Sequence, residues 1–158
     1  MSQLHPSRID VAEDDRAALC ELFSVSYAAM SDLRSQVVQA RVSVRGSGSH
    51  GLNLLCDTVR DGVVEVADGL LARCVVLGGQ PRTTIRAMSS ATTLPEYDVE
   101  GTEAREHLEA LADRFELVAA ALRRNTETAA RMEDTISAHV FAAACARIEA
   151  EMARLERA

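Results

Sequence analysis

Along the first third of the chain Leu19, Leu22, Phe23, Ser26, Met30, Leu33, Val37 and Val44 return at three- and four-residue steps. That spacing lines them up on one side of a long amphipathic helix. Its start is expected at Asp14 or Asp15, where an acid meets free amide groups and the positive end of the helix dipole. Arg41 falls on the same stripe. A buried guanidinium is costly unless an anion pairs with it, so Arg41 requires a partner. Gly46, Gly48 and Gly51 then break the period and allow a turn. Leu52, Leu55, Val59, Val63, Val66, Leu70, Cys74 and Leu77 trace a second helix. Nearly opposite them lie His50, Asp57, Asp61, Asp68 and Ala72, with Leu54, Val64, Leu71 and Val75 interleaved. A helix apolar on one face and mixed on the other is often buried twice, against its own bundle and against a neighbour. Gly78-Gly79-Gln80-Pro81 ends it through a left-handed cap and a residue that cannot continue the helix.

Arg82 to Tyr97 reads as a long connection holding one short helix, Thr83 to Met88. Such a connection suits two parallel helices joined along a bundle rather than a tight hairpin. The next helix starts between Asp98 and Thr102. After Gly101 the chain has no Gly or Pro up to Ala158. One helix of that size would span on the order of 80 Å at 1.5 Å per residue, too long for so small a domain. A break is therefore placed between Asn125 and Asp134, where the apolar period lapses. The expectation is all-α: four long helices, no strand, and a tail over residues 1–13 leading into one domain over 14–158.

Composition narrows the class. A chain of 158 residues is long enough for one sizeable core. No apolar run approaches the roughly 18–20 residues needed to span a bilayer, and the polar, acidic opening has no secretory h-region. A cytoplasmic home is the default expectation. The net charge is −7 and every basic side chain is Arg, which argues against a general affinity for nucleic acid. Cys20, Cys56, Cys74 and Cys145 are far apart without C-x-x-C spacing. They read as buried thiols of a reducing compartment rather than as ligands.

Gly46-Ser-Gly48-Ser-His-Gly51 matches the letters of a dinucleotide-binding loop. That reading needs a strand before the glycines and a second strand ending in an acid. Val42 and Val44 could pass for the first, but the candidate second, CVVLGG, ends in two glycines and is followed by helix. The dinucleotide reading is set aside. No nucleophile elbow, Walker A, H-E-x-x-H or zinc spacing occurs.

From Arg41 to Phe115 the chain resembles the Dps (DNA protection during starvation) family of the ferritin-like superfamily. Val44-Arg45-Gly46 and Leu77-Gly78-Gly79 match the closing motifs of that family's first and second helices at the right separation. HLEALADRFELVA, from His107 to Ala119, resembles its third-helix run. The resemblance implies a ferritin-like four-helix bundle with a long crossover between the second and third helices, assembled as a homo-dodecamer. It also implies iron as cargo, with Fe²⁺ oxidised between two subunits by His residues of one chain and Asp and Glu of the other, donors that suit iron.

Carried over residue by residue, the first His position is Arg41 and the second is Asn53. The Asp position is kept as Asp68, and the Glu position is Ala72. One of four ligands remains, and Arg41 puts a fixed cation where a metal should sit. The expectation is a cage of iron sequestration and oxidative-stress protection with weak or absent ferroxidase activity. Arg41 of one subunit is expected to pair with Asp68 of its two-fold mate, its guanidinium standing in for the metal. A catalytically silent shell or a co-assembling subunit held by that pair is the alternative.

A relocated metal site could use Asp68 with His50, Asp57 or Asp61; the plainer reading is a solvated or interface-facing acidic stripe. His5, His107 and His139 read as ordinary surface or core histidines. Glu100, Glu103, Glu106, Glu109, Asp113 and Glu116 form an acidic run on the third long helix. In the family, acids of this region line a pore that attracts cations, so Glu106, Asp113 and Glu116 are pore candidates beside a solvated-face reading. DNA compaction is the weaker alternative. The N-terminus offers Arg8 and Arg16 against Asp10, Glu13, Asp14 and Asp15, and a dodecamer of such chains should repel DNA at ordinary salt.

Overall fold

The computed structural model describes residues 4–46 and 49–158; of the glycine run, Gly48 lies outside the described residues. It contains α1 (Glu13–Ser43), α2 (Ser49–Val76), the short α3 (Ile85–Ala91), α4 (Ala104–Arg131) and α5 (Thr135–Leu155). No strand occurs among the described residues. The four long helices form a bundle, and no described helix is long and apolar enough to cross a membrane.

α1 begins one residue ahead of the expected acids. Its N-cap is Ala12, and no side chain caps it. Glu13, Asp14 and Asp15 occupy the first turn instead, where their charge suits the dipole without a capping bond. The stripe from Leu19 to Val44 is buried apart from half-buried Leu22. Gly78 takes φ +90° and ends α2, with Gly79 N donating to Cys74 O in a left-handed cap that glycine adopts without Cβ strain.

The short helix lies two to three residues later than its expected span, running from Ile85 to Ala91 with Thr84 as N-cap. The start of α4 also moves later, to Ala104. The residues before it are held extended by other partners: Arg45 N donates to Thr102 O, and His107 Nε2 contacts Gly101 O at 2.9 Å.

Those contacts show how the crossover runs. It leaves Gly79 beside Cys20 near the start of α1, passes Asp32 through Thr92 and Gln36 through Pro95, and reaches Arg45 at the far end. It therefore travels the length of α1 and delivers α4 to the end where α2 began. α2 and α4 run parallel, as the length of the connection implied. α5 returns antiparallel after a break at Met132–Asp134, inside the expected interval. Glu133 takes φ 59°, and Asp134 Oδ1 accepts from Ile136 N and Ser137 N, the N-cap bonds expected of an Asp.

The core sits where the four helices meet. Phe23 of α1 and Phe141 of α5 stack with centroids 4.2 Å apart and ring planes within 9° of parallel. Phe115, Met30, Leu33, Leu70, Leu111 and Ile148 around them have no exposure. Leu4, Ile9 and Val11 of the N-terminal segment pack against this core, and His5 N donates to Gly78 O at 2.8 Å.

Candidate functional site

The residues singled out from the sequence occupy the α1–α2 hairpin. Arg41 lies one turn before the end of α1 and is half-exposed. Its Nε approaches Asp57 Oδ1 of α2 at 3.1 Å, with both side chains more than a third exposed. Arg41 is thus not the buried guanidinium that its place on the stripe predicts: it is half-exposed at the helix end and pairs within its own chain. Asp57 Oδ1 also takes Arg60 Nη1 at 3.0 Å, and Arg60 Nη2 takes Asp61 Oδ1 at 2.9 Å. Two of the three acids considered for a relocated metal site are therefore already neutralised by arginines. A pair this exposed holds the helix ends weakly, contributing up to about 1 kcal/mol.

Asn53 stands one turn before Asp57 on α2. Its Oδ1 is buried without a hydrogen-bond partner, a free acceptor at a position where the resemblance places a metal ligand. Asp68 and Ala72 are exposed and lie further along the helix. Asp68 is eleven residues beyond Asp57, roughly 16 Å along the axis at 1.5 Å per residue. One chain therefore brings Arg41 to Asp57 and does not bring it near Asp68. Among the described residues no group of three or more His, Cys, Asp or Glu gathers as for a metal ion.

Large apolar side chains are exposed on α2, Leu54 at 58%, Val75 at 57% and Val76 at 53%, and on α1, Val42 at 48%. Leu54 and Val75 belong to the interleaved set of the expected second face. His50 is exposed, as are Glu106, Asp113 and Glu116 on α4. His5 and His139 lie on the surface, whereas His107 is wholly buried.

Three polar elements were not legible as interacting groups. Tyr97 Oη lies 2.7 Å from His107 Nδ1. Gly101 O can only accept, so His107 Nε2 carries the hydrogen and, in the neutral ring, Nδ1 accepts from the phenol. Burial, with the Cys56 thiol nearby, pushes the Tyr97 phenol up. Glu151 of α5 is wholly buried between Arg147 and Arg154, at 3.2 and 3.3 Å, with its carboxylate against Gly62 of α2. The only sequence signal was Gly62 itself, since a glycine inside a helix usually has a packing reason. The third is Arg73 with Asp134.

The comparisons with known proteins agree with this architecture. The ferritin-like domain family matches residues 25–158. The DNA protection during starvation protein of Agrobacterium fabrum is 26% identical over 152 residues, covering 96% of this chain and 94% of the relative. Among solved structures, DpsC from Streptomyces coelicolor superposes with a TM-score of 0.91 at 18% identity, covering 98% of this chain and 91% of that one. Mycobacterium smegmatis Dps gives 0.86 at 21% identity, covering 98% and 86%. The archaeal Dps homologue from Halobacterium salinarum gives 0.84 at 20% identity, covering 97% and 91%. The chain belongs to the ferritin-like domain family, and the relatives it is similar to are Dps proteins, the group that its sequence motifs resemble.

Proposed function

We propose that this chain builds a Dps-like shell for iron sequestration and oxidative-stress protection, in which the usual inter-subunit oxidation site is impaired. The observation that carries the reading is Arg41. A permanent cation stands at the first ligand position and is anchored by Asp57. Asn53 and Ala72 stand at two further ligand positions, and only Asp68 retains the family's residue. Iron is the cargo in this reading, and a dodecamer in the cytoplasm is the proposed assembly.

Two features support copies meeting across α1 and α2. Leu54, Val75 and Val76 of α2 and Val42 of α1 are large apolar side chains left exposed. Arg41 engages Asp57 only through Nε, so its terminal amino groups can reach Asp68 of a second copy. The silent-shell alternative, in which the chain serves as a structural or co-assembling subunit, rests on the same pair. DNA compaction remains the weakest reading at a net charge of −7.

One sample tests the proposal. Light scattering after gel filtration should give a closed multimeric particle, and Fe²⁺ oxidation followed by absorbance under air or peroxide should barely exceed the buffer rate. A rapid rate abolished by Asp68→Ala would instead establish an active site built on Asp68. A monomer in solution would remove the shared site altogether.

A further inference from the structure

Two thiols meet where the start of α1 packs on the end of α2. Cys20 Sγ lies 3.6 Å from Cys74 O, and Cys74 Sγ lies 3.7 Å from Cys20 O. Each side chain thus crosses towards the other's backbone. A Cβ placed on Gly79 would stand 2.7 Å from each sulfur, so the two sulfurs are at most twice that distance apart. Ser24 Oγ is the further polar neighbour, 3.9 Å from Cys74 Sγ. Glycine at position 79 permits this close approach, since any Cβ there would also crowd Cys74 O at 2.9 Å.

A second observation comes from the charge beside these thiols. Arg16 is 93% buried by its 7% exposure. Its Nη1 donates to Leu77 O at 3.1 Å, capping α2, while its Nε has no hydrogen-bond partner. Among the described residues no carboxylate comes within ion-pair distance of it. The partial negative end of α2 is the counter-charge it touches, and its field reaches the Cys20 thiol. A buried guanidinium without an anion is an expensive arrangement.

We propose that Cys20 and Cys74 form a two-sulfur site for a soft monovalent cation of the Cu(I) class, with Arg16 as the compensating charge. Thiolates are the ligands such an ion prefers, and two opposed sulfurs suffice for linear coordination. Binding forms two metal–sulfur bonds, breaks two S–H bonds and releases two protons, with no change of oxidation state. The bis-thiolate complex carries one net negative charge, which the Arg16 guanidinium offsets. This site is separate from the α1–α2 hairpin and does not depend on the shell reading.

The chemistry also sets a pH dependence. Burial, reinforced by Cys74, pushes the Cys20 thiol up to about 12, and burial raises Cys74 as well. Without metal both stay protonated and poorly nucleophilic. The cation must displace both protons, so affinity rises as pH rises.

The test is an anaerobic titration of the reduced full chain with Cu(I) held by the chromophoric chelator bicinchoninate. The chain should withdraw one Cu(I), and more tightly at higher pH. Cys20→Ser and Cys74→Ser should each lose that copper, Cys145→Ser should keep it, and Arg16→Gln should weaken it by roughly 10- to 100-fold, as for an outer partner of a metal site. X-ray absorption on the copper-loaded natural chain should show sulfur ligation alone, a readout that needs no variant to fold. Failure to withdraw copper, retention of it in Cys20→Ser, a shell of nitrogen or oxygen donors, or a Cys20–Cys74 disulfide in place of bound metal would each overturn the proposal.

Discussion

Arg73 of α2 grips Asp134, the N-cap of α5, with Nη2 donating to Oδ1 at 3.1 Å and Oδ2 at 2.8 Å. The Asp134 side chain is 3% exposed. Ser137 Oγ donates to the same carboxylate at 2.6 Å, and Arg73 Nε reaches Ser137 Oγ at 3.0 Å. The end of α2 and the start of α5 are thereby tied through one satisfied network. Removing Arg73 leaves a buried carboxylate unpaired. Arg73→Met should cost about 3–5 kcal/mol, read as a lowered urea midpoint.

The same carboxylate makes stability depend on acid. Burial by itself raises Asp134, but hydrogen bonds from Ser137 and Arg73 outweigh it and hold the group below its ordinary 3.8. A carboxyl held lower in the folded chain contributes stability above its unfolded value and loses it as pH falls towards its folded one. Urea midpoints from pH 5 down to 2 should therefore fall more steeply for the natural chain than for Arg73→Met.

Gly62→Ala should destabilise the protein although alanine is the better helix former, by roughly 1 kcal/mol. A methyl there would meet Glu151 Oε1 at 2.7 Å. The carboxylate is the flexible end of its side chain, but it is wholly buried and held between Arg147 and Arg154. The resulting overpacking costs typically 1–3 kcal/mol, so a net loss in thermal unfolding is expected. Glu151→Ala in the same background should relieve the clash but leave Arg154 without its carboxylate, Arg147 keeping Glu65.

Tyr97→Phe keeps the ring and deletes the hydroxyl that His107 Nδ1 faces. A buried polar atom left without a partner costs about 1–3 kcal/mol. Hydrogen exchange should quicken across residues 92–103 before the global midpoint moves by that amount, because Tyr97 pins this crossover segment to α4.

Restoring the family's ligands tests the proposal that the inter-subunit oxidation site is impaired. Arg41→His, Asn53→His and Ala72→Glu together remove the fixed cation and supply three donors that the proposed site would combine with Asp68 across two copies. The triple variant should oxidise Fe²⁺ faster than the natural chain in the same absorbance assay. Arg41→His alone should change stability by less than about 1 kcal/mol, since the Asp57 pair is half-exposed.

Several of these relationships were legible in part. The apolar stripe required a counter-ion for Arg41, but nothing in its spacing pointed to Asp57, sixteen residues on. Their meeting depends on how tightly the chain turns between α1 and α2. Cys20 and Cys74 read as separate buried thiols because they are 54 residues apart and lack metal-ligand spacing. Asp134 was legible as the end of a break, though its bond to Arg73 was not.

Taken alone, the order of apolar and polar residues determined that this chain makes four long helices, where the first two give way to glycines, and which side of those two faces inward. Helical periodicity, glycine caps and the absence of proline are local properties, carried by neighbours a few residues apart. The tertiary structure decided the pairing of charges and thiols: Arg41 with Asp57, Arg73 with Asp134, Glu151 against Gly62, Cys20 beside Cys74. Those partners sit on different helices, and only the packing of helix on helix sets their rotation and offset to within a hydrogen bond's length.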